Sequence, residues 1–308
     1  MRAAPGGLAA ARPASPPRRR RSSGPLPYLL VAPLAFFVIL LTALPAVFTL
    51  SQSFFTVDLL DPPTRFSGLD NYLAIFSSAT MRTSMLNTLC YVAVGVILTT
   101  VLGMVMAVTL QRGFRGRGLV IALMILPWAL PGVVEGIIWL GIWDSNTGLL
   151  NSVLMSLHLI NHYQVFLGQD PLTTIIAIGI VQVWQMTPLS ALLILAALQS
   201  IPDELYEAAV VDGGGRWRVF REITLPLALP GVTLAMVQAL VTSINIFDQP
   251  YVLNGSATTG VSVLMQTYFV SFKDLNFGQG YALSMLVTVA TIAGSLLILK
   301  FVYRKVEY

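Results

Sequence analysis

The chain has 308 residues, 56% of them hydrophobic and only 10% charged, with a mean hydropathy of +0.76. Soluble domains carry about 25% Asp, Glu, Lys and Arg, so a cytosolic enzyme, a disordered chain and a free nucleic-acid-binding domain are all poor candidates. The single cysteine, Cys90, excludes an internal disulfide and a cysteine-cluster metal site, and the net charge of +4 has meaning only through where the charges sit.

Residues 1–27 are rich in Pro, Ala and Arg and too poor in apolar residues to fold, which predicts a disordered basic tail. Its Arg18–Arg21 run precedes an apolar stretch longer than a signal-peptide core and without a small-residue cleavage site, so the stretch reads as a helix that stays in the protein. The run is then an anchor to anionic lipid headgroups rather than a nucleic-acid site. A helix needs about 20 apolar residues to cross a bilayer. Six stretches qualify: 28–53, 84–111, 119–143, 172–199, 227–250 and 279–303. Between them they hold only three formal charges, Glu135, Asp248 and Lys300. Prolines within the spans do not veto them, because neighbouring helices satisfy the freed carbonyls. Fifteen of the eighteen Lys and Arg fall in the N-terminal tail, the loops after the second and fourth spans, and the C-terminal end. That asymmetry places both termini in the cytoplasm. The fold class is therefore all-α: a multi-pass membrane protein with six transmembrane helices over residues 28–308.

The outer loops are short. Leu69 to Phe76 is amphipathic and predicts a helix lying along the interface. His158 and His162 share a spacing of four but lack further ligands, so no metal site is assigned. Trp139 and Trp143 read as interfacial anchors.

The loop over 200–226 reads SIPDELYEAAVVDGGGRWRVFREITLP. Ser200 is a candidate cap, Pro202 is tolerated in a first turn, and Asp203, Glu204 and Glu207 suit the positive end of a helix. Leu205, Ala208, Ala209 and Asp212 fall on one face. Gly213 to Gly215 end that helix. A second one carries Trp217, Phe220 and Ile223 on one side, until Pro226 starts the next span. The small-residue ridge at Ala208 and Ala209 permits close approach of another surface, and Glu207 offers charge to a basic partner. A mere connector needs only a few residues, so this loop reads as a docking element.

This segment resembles the EAA loop of ABC importer permeases through Glu207-Ala208-Ala209, Asp212-Gly213, Phe220, Ile223 and Leu225-Pro226, with Gly214 where Ala is usual. The resemblance is closest to the carbohydrate-uptake branch, the maltose-type and glycerol-phosphate-type permeases. Asn87-Thr88, Asp144 with Gly148 to Asn151, Ala197 to Pro202 and Phe247-Asp248 carry it. Asn254 to Ala257 departs from the Gly-Gly-Pro segment common in that branch. The resemblance implies the type I ABC importer transmembrane fold in a bacterial inner membrane. It also implies coupling to the ATPase through Glu207, Ala208, Ala209, Asp212, Gly213 and Phe220, and a turn in which Gly214→Ala is nearly silent. The implied partners are a cytoplasmic ATPase dimer, a second homologous permease subunit, an extracytoplasmic solute-binding protein and a sugar substrate, in addition to membrane lipids and without nucleic acid.

Polar residues inside spans face a cavity or another helix. Gln238, Thr242, Asn245 and Gln249 form one helical stripe flanked by Ser243 and Asp248, while Gln182 and Gln185 bracket Trp184 in the fourth span. These are the candidate substrate-pathway residues, with interhelical hydrogen bonding as the alternative role for such groups. Glu135, after Pro131-Gly132, reads as a gate or substrate contact or, at least as well, as a partner-bridging or protonated structural group. No phosphate-loop motif is present, so ATP and Mg²⁺ belong to the partner ATPase, and this chain has no cofactor, no catalytic residue and no metal ligand. The reading is a permease subunit that moves a sugar or related polyol phosphate by alternating access. An ion-coupled secondary transporter or a membrane-embedded lipid-modifying enzyme would need paired intramembrane ionisable residues or clustered acid–base groups.

Overall fold

A computed structural model describes residues 26–60, 62–255 and 259–303; the basic tail read from the sequence lies outside the described residues except at its last two positions. Two compact units divide at Val47 and Phe48. The first, as described, comprises α1 (Leu26–Val38), a wide turn with i→i+5 bonding at Ile39–Ala43, and the start of α2 (Leu44–Gln52). The wide turn lies just before Pro45, which has no N–H to offer a carbonyl one turn back.

The second unit begins with the rest of α2, followed by the two-residue strands β1 (Phe55–Thr56) and β2 (Arg65–Phe66), paired antiparallel with Phe55 opposite Phe66. Then comes α3 (Asp70–Ser77), the expected amphipathic helix. Its Asn71 is buried and donates to the carbonyls of Ser53 and Phe55 at 2.9 Å. The second span is α4 (Ala79–Gln111), capped by Ser78. The third differs from its sequence reading. It is two helices, α5 (Arg117–Ala129) and α6 (Gly132–Trp143), bent by 96° at Leu130-Pro131. Pro131 disfavours helical geometry at the residue before it, and Leu130 is extended with ψ 139°.

Beyond α6, Asp144 accepts from the backbone N–H groups of Asn146 and Thr147 and from the Thr147 hydroxyl. These bonds, those of Thr147 first, hold its carboxyl below the usual range. The turn into α7 (Leu149–Ser156) is thus held once Asp144 is ionised and is released as pH falls through that lowered value. The fourth span, α8 (Pro171–Leu198), starts with Asp170 accepting from Thr173 N at 2.8 Å and Pro171 at the first position, a strong start signal.

After α8 come α9 (Asp203–Val211) and α10 (Arg216–Val219), then a second wide turn at Phe220–Thr224 that leads without a break into α11 (Leu225–Ile244). Residues Arg216–Ile244 are therefore one continuous helix, and Pro226 continues it instead of starting a new element. A break at Asn245–Phe247 separates α11 from α12 (Asp248–Asn254); α13 (Val263–Tyr268) and α14 (Phe277–Val302) complete the unit. By length and composition five helices can cross a membrane, and the bent α5–α6 pair makes a sixth candidate.

The core lies where α4, α8 and α11 pack together. Ala107 and Leu110, Ile194, Leu195 and Leu198, and Ala228, Val232 and Ala235 form one buried cluster. The alanines let the helices approach closely, as interhelical contacts in lipid require. Asn87 and Thr88 of α4 anchor the chain after α12: Asn87 Nδ2 donates to Val261 O at 3.0 Å, and Thr88 Oγ1 accepts from Val263 N at 2.8 Å.

Candidate functional site

Two sites emerge, at different levels of the bundle. The first is the α9–α10 hairpin, next to the ends of α4 and α8. Leu205, Ala208, Ala209 and Asp212 do share a face, and they line an open groove of about 340 Å³ completed by Gly214, Arg218, Val219, Glu222 and Ile223. Glu207 and Ala208 are exposed, and Phe220, half-buried, stacks on exposed Trp217 at 5.6 Å. Within this groove Arg218 pairs with Glu222 at 3.0 Å, an exposed i,i+4 contact of little energetic weight.

The turn between the helices shows why three glycines stand there. Gly213 has φ +75°; its N–H bonds to Val210 O at 3.1 Å, and the next N–H, of Gly214, bonds to Ala209 O at 2.8 Å. That is the paired closure of a Schellman end, with glycine at the left-handed position. At the start of α9 the helix opens at Asp203 after Pro202, and the Ser200 hydroxyl donates back to Ala197 O at 2.7 Å.

Gly214 also departs from expectation. A Cβ there would stand 2.8 Å from Ala209 O, so Gly214→Ala cannot be silent. Both Gly213→Ala and Gly214→Ala are expected to weaken the turn, each by about 1 kcal/mol. Gly215→Ala, with open space around it, is expected to leave it intact. Uptake and ATP hydrolysis measured on the same vesicles for the three variants check this, and loss confined to Gly215→Ala contradicts it.

The second site lies at the break between α11 and α12. Gln182, Gln185, Thr242, Asn245, Ile246, Phe247, Asp248 and Gln249 line a cavity of about 240 Å³. It brings together six of the nine residues that the sequence marked: Gln182, Gln185, Thr242, Asn245, Asp248 and Gln249. The other three lie elsewhere. Gln238 borders a smaller adjoining cavity with Gln185 and Thr242. Ser243 is fully buried behind Gln182, whose Nε2 donates to its hydroxyl at 2.5 Å. Trp184 meets the edge of Trp139 at 5.5 Å and does not line the cavity. Trp139 itself stacks on Trp143 at 5.3 Å, and Trp143 is buried against Phe166, so this pair packs inside the protein instead of anchoring it at the interface.

Ile246 and Phe247 belong to the site but looked like ordinary span residues; only the helix break turns them to the cavity. Gln249 stands on the sequence stripe, yet its place comes from α12, where its Nε2 donates to Glu135 Oε2 at 3.3 Å. Glu135 is wholly buried, and α6 and α12 come close enough for this bond because Gly132 and Gly136 face α12. A Cβ on Gly132 would stand 2.8 Å from Asp248 Cβ, and one on Gly136 2.8 Å from Val252 Cβ.

Residues 99–307 match the family described as the inner membrane component of binding-protein-dependent transport systems. The chain belongs to that family. It is 34% identical over 281 residues to the trehalose/maltose transport system permease protein MalF of Thermococcus litoralis, covering 89% of this chain and 92% of the relative. It is also 34% identical over 275 residues to the trehalose transport system permease protein SugA of Mycobacterium tuberculosis, covering 87% and 86%. In fold it resembles a solved bacterial ABC transporter involved in the import of the acidic polysaccharide alginate. The TM-score is 0.77 at 20% identity, over 92% of this chain and 96% of that one. The chain is thus an inner-membrane ABC importer permease with the type I transmembrane fold. It is a transport component, not an enzyme, and ATP hydrolysis lies on a separate subunit.

Proposed function

We propose that this permease carries a sugar across the inner membrane through the cavity at the α11–α12 break, driven by an ATPase dimer docked on the α9–α10 groove. The cavity carries the reading. It gathers four amide side chains, a hydroxyl, a carboxylate and the Phe247 ring between membrane-crossing helices, where unpaired polar groups are costly unless they serve a ligand or each other. Hydroxyl-rich ligands are recognised by such amides and carboxylates. Relatives named for trehalose and maltose transport agree with a carbohydrate cargo.

The coupling residues are Glu207, Ala208, Ala209, Asp212, Gly213 and Phe220, and the pathway residues are Gln182, Gln185, Thr242, Asn245, Asp248 and Gln249. An external binding protein delivers the sugar, a second permease chain completes the pathway, and ATP with Mg²⁺ acts on the partner ATPase. Closure of that ATPase pulls α9, and the continuous helix Arg216–Ile244 transmits the motion to the cavity. The bundle alternates between states with different affinity for the cargo.

The test is purification of the chain with its neighbouring subunits, reconstitution in vesicles, and uptake of a panel of radiolabelled sugars with the cognate binding protein. ATP-dependent uptake of a sugar is expected. Uptake that follows an ion gradient without any ATPase contradicts the proposal.

A further inference from the structure

Three of the cavity's four amides, and Gln238 at its approach, are tethered through the NH₂ end. Gln249 Nε2 donates to Glu135 Oε2 at 3.3 Å, Asn245 Nδ2 to Val241 O at 2.8 Å, Gln182 Nε2 to Ser243 Oγ at 2.5 Å, and Gln238 Nε2, at the cavity's approach, to Thr242 Oγ1 at 3.2 Å. For Gln249 and Asn245 the partner is a carboxylate oxygen and a backbone carbonyl. The backbone carbonyl only accepts, so the NH₂ end of Asn245 must face it, and Gln249 presents its NH₂ end to the Glu135 carboxyl. In all four the carbonyl oxygen makes no hydrogen bond to the described residues, and Gln182 Oε1 is buried without any partner. Asp248 adds a carboxylate to the same wall, and none of the lining residues is Lys, Arg or His. Gln185 and the Thr242 hydroxyl are the lining side chains with an untethered donor.

We infer that the cavity admits a neutral polyhydroxylated ring and rejects sugars that carry a phosphate or carboxylate. This rests on the sugar reading above and narrows it. Ring hydroxyls donate to the carbonyl oxygens of Asn245 and Gln249 and to Asp248. An anionic substituent would face those same oxygens and one carboxylate, with no lining cation to offset the repulsion in a site of low dielectric. Glu135 acts as a positioning residue: it touches no ligand but holds Gln249 with its carbonyl free. The glycine seam of α6 and α12 places both groups in register.

The experiment uses the intact importer in nanodiscs without the binding protein, so that the permease alone is read. Equilibrium binding is measured for matched radiolabelled probes: trehalose and trehalose 6-phosphate, maltose and maltose 6-phosphate, glucose and glucuronate. Uptake by the complete system shows which pair is relevant. In that pair the neutral probe is expected to bind about tenfold tighter or more, and Asp248→Asn is expected to narrow the gap. Glu135→Leu is expected to weaken neutral-sugar binding severalfold, and Glu135→Gln, which keeps an acceptor for Gln249, to restore it. Equal or tighter binding of the anionic probe overturns the inference, as does a complex that imports a sugar its cavity does not bind. Equal effects of Glu135→Leu and Glu135→Gln overturn the positioning role. A system that imports none of the sugars takes down the sugar reading and this inference with it.

Discussion

Ala208→Trp is expected to abolish sugar uptake while the chain still reaches the membrane in normal amount. Ala208 is exposed on α9 and lines the groove with Ala209 and Asp212. An indole there fills the space an ATPase surface would enter, without burdening the fold, because Ala208 is exposed and the groove is open. Loss of a central interface contact is worth about 2 kcal/mol or more, or about thirtyfold in docking affinity. Glu207→Lys acts beside it by reversing the charge offered to a basic partner. Pull-down of the ATPase with the variant permease measures the effect directly, and undiminished ATPase recovery together with full uptake removes α9 from the coupling path.

Gly136→Leu is expected to be the most damaging single change near the cavity. Its side chain would be driven into Val252, whose Cβ and Cγ1 stand 2.8 Å from the position of the first added carbon. Overpacking of this kind costs about 1–3 kcal/mol. Separating α6 from α12 also breaks the Glu135–Gln249 bond, stranding a buried carboxyl at about 1–3 kcal/mol more. A lowered thermal midpoint of the purified complex and loss of uptake are the expected results. Gly141→Leu on the same helix, with open space around it, serves as the control. Equal damage at both positions would show that the helix tolerates no added bulk anywhere and that the seam is not special.

The membrane class and the α9–α10 hairpin were legible because they rest on local signals: long apolar runs and the glycine stop after Asp212. The breaks were not legible. Proline is permitted in membrane helices, so Pro131 and Pro226 carry the same letter with opposite outcomes, a 96° bend in one case and a continuous helix in the other. What decides between them is tertiary. Gly132 and Gly136 let α6 lie against α12, and the wide turn at Phe220–Thr224 carries the helix through Pro226. Side-chain partners were hidden for a similar reason. Gln249 and Glu135 are 114 residues apart and Gln182 and Ser243 are 61 apart, and no periodicity links them. Trp139, Trp143 and Trp184 looked like separate aromatic signals and proved to be one packed group.

Under the proposed function this chain's cavity opens alternately to the two sides of the membrane under control of the ATPase. Asn245→Cys in a Cys90→Ser background tests it most directly, because Asn245 is exposed in the cavity wall and Cys90 is the chain's only other cysteine. A membrane-impermeant thiol reagent is applied from either side of oriented vesicles containing the whole importer, at rest and with ATP trapped on the ATPase. Labelling from the cytoplasmic side at rest and from the outer side in the ATP-trapped state is the expected result. Labelling from the same side at the same rate in both states contradicts the account.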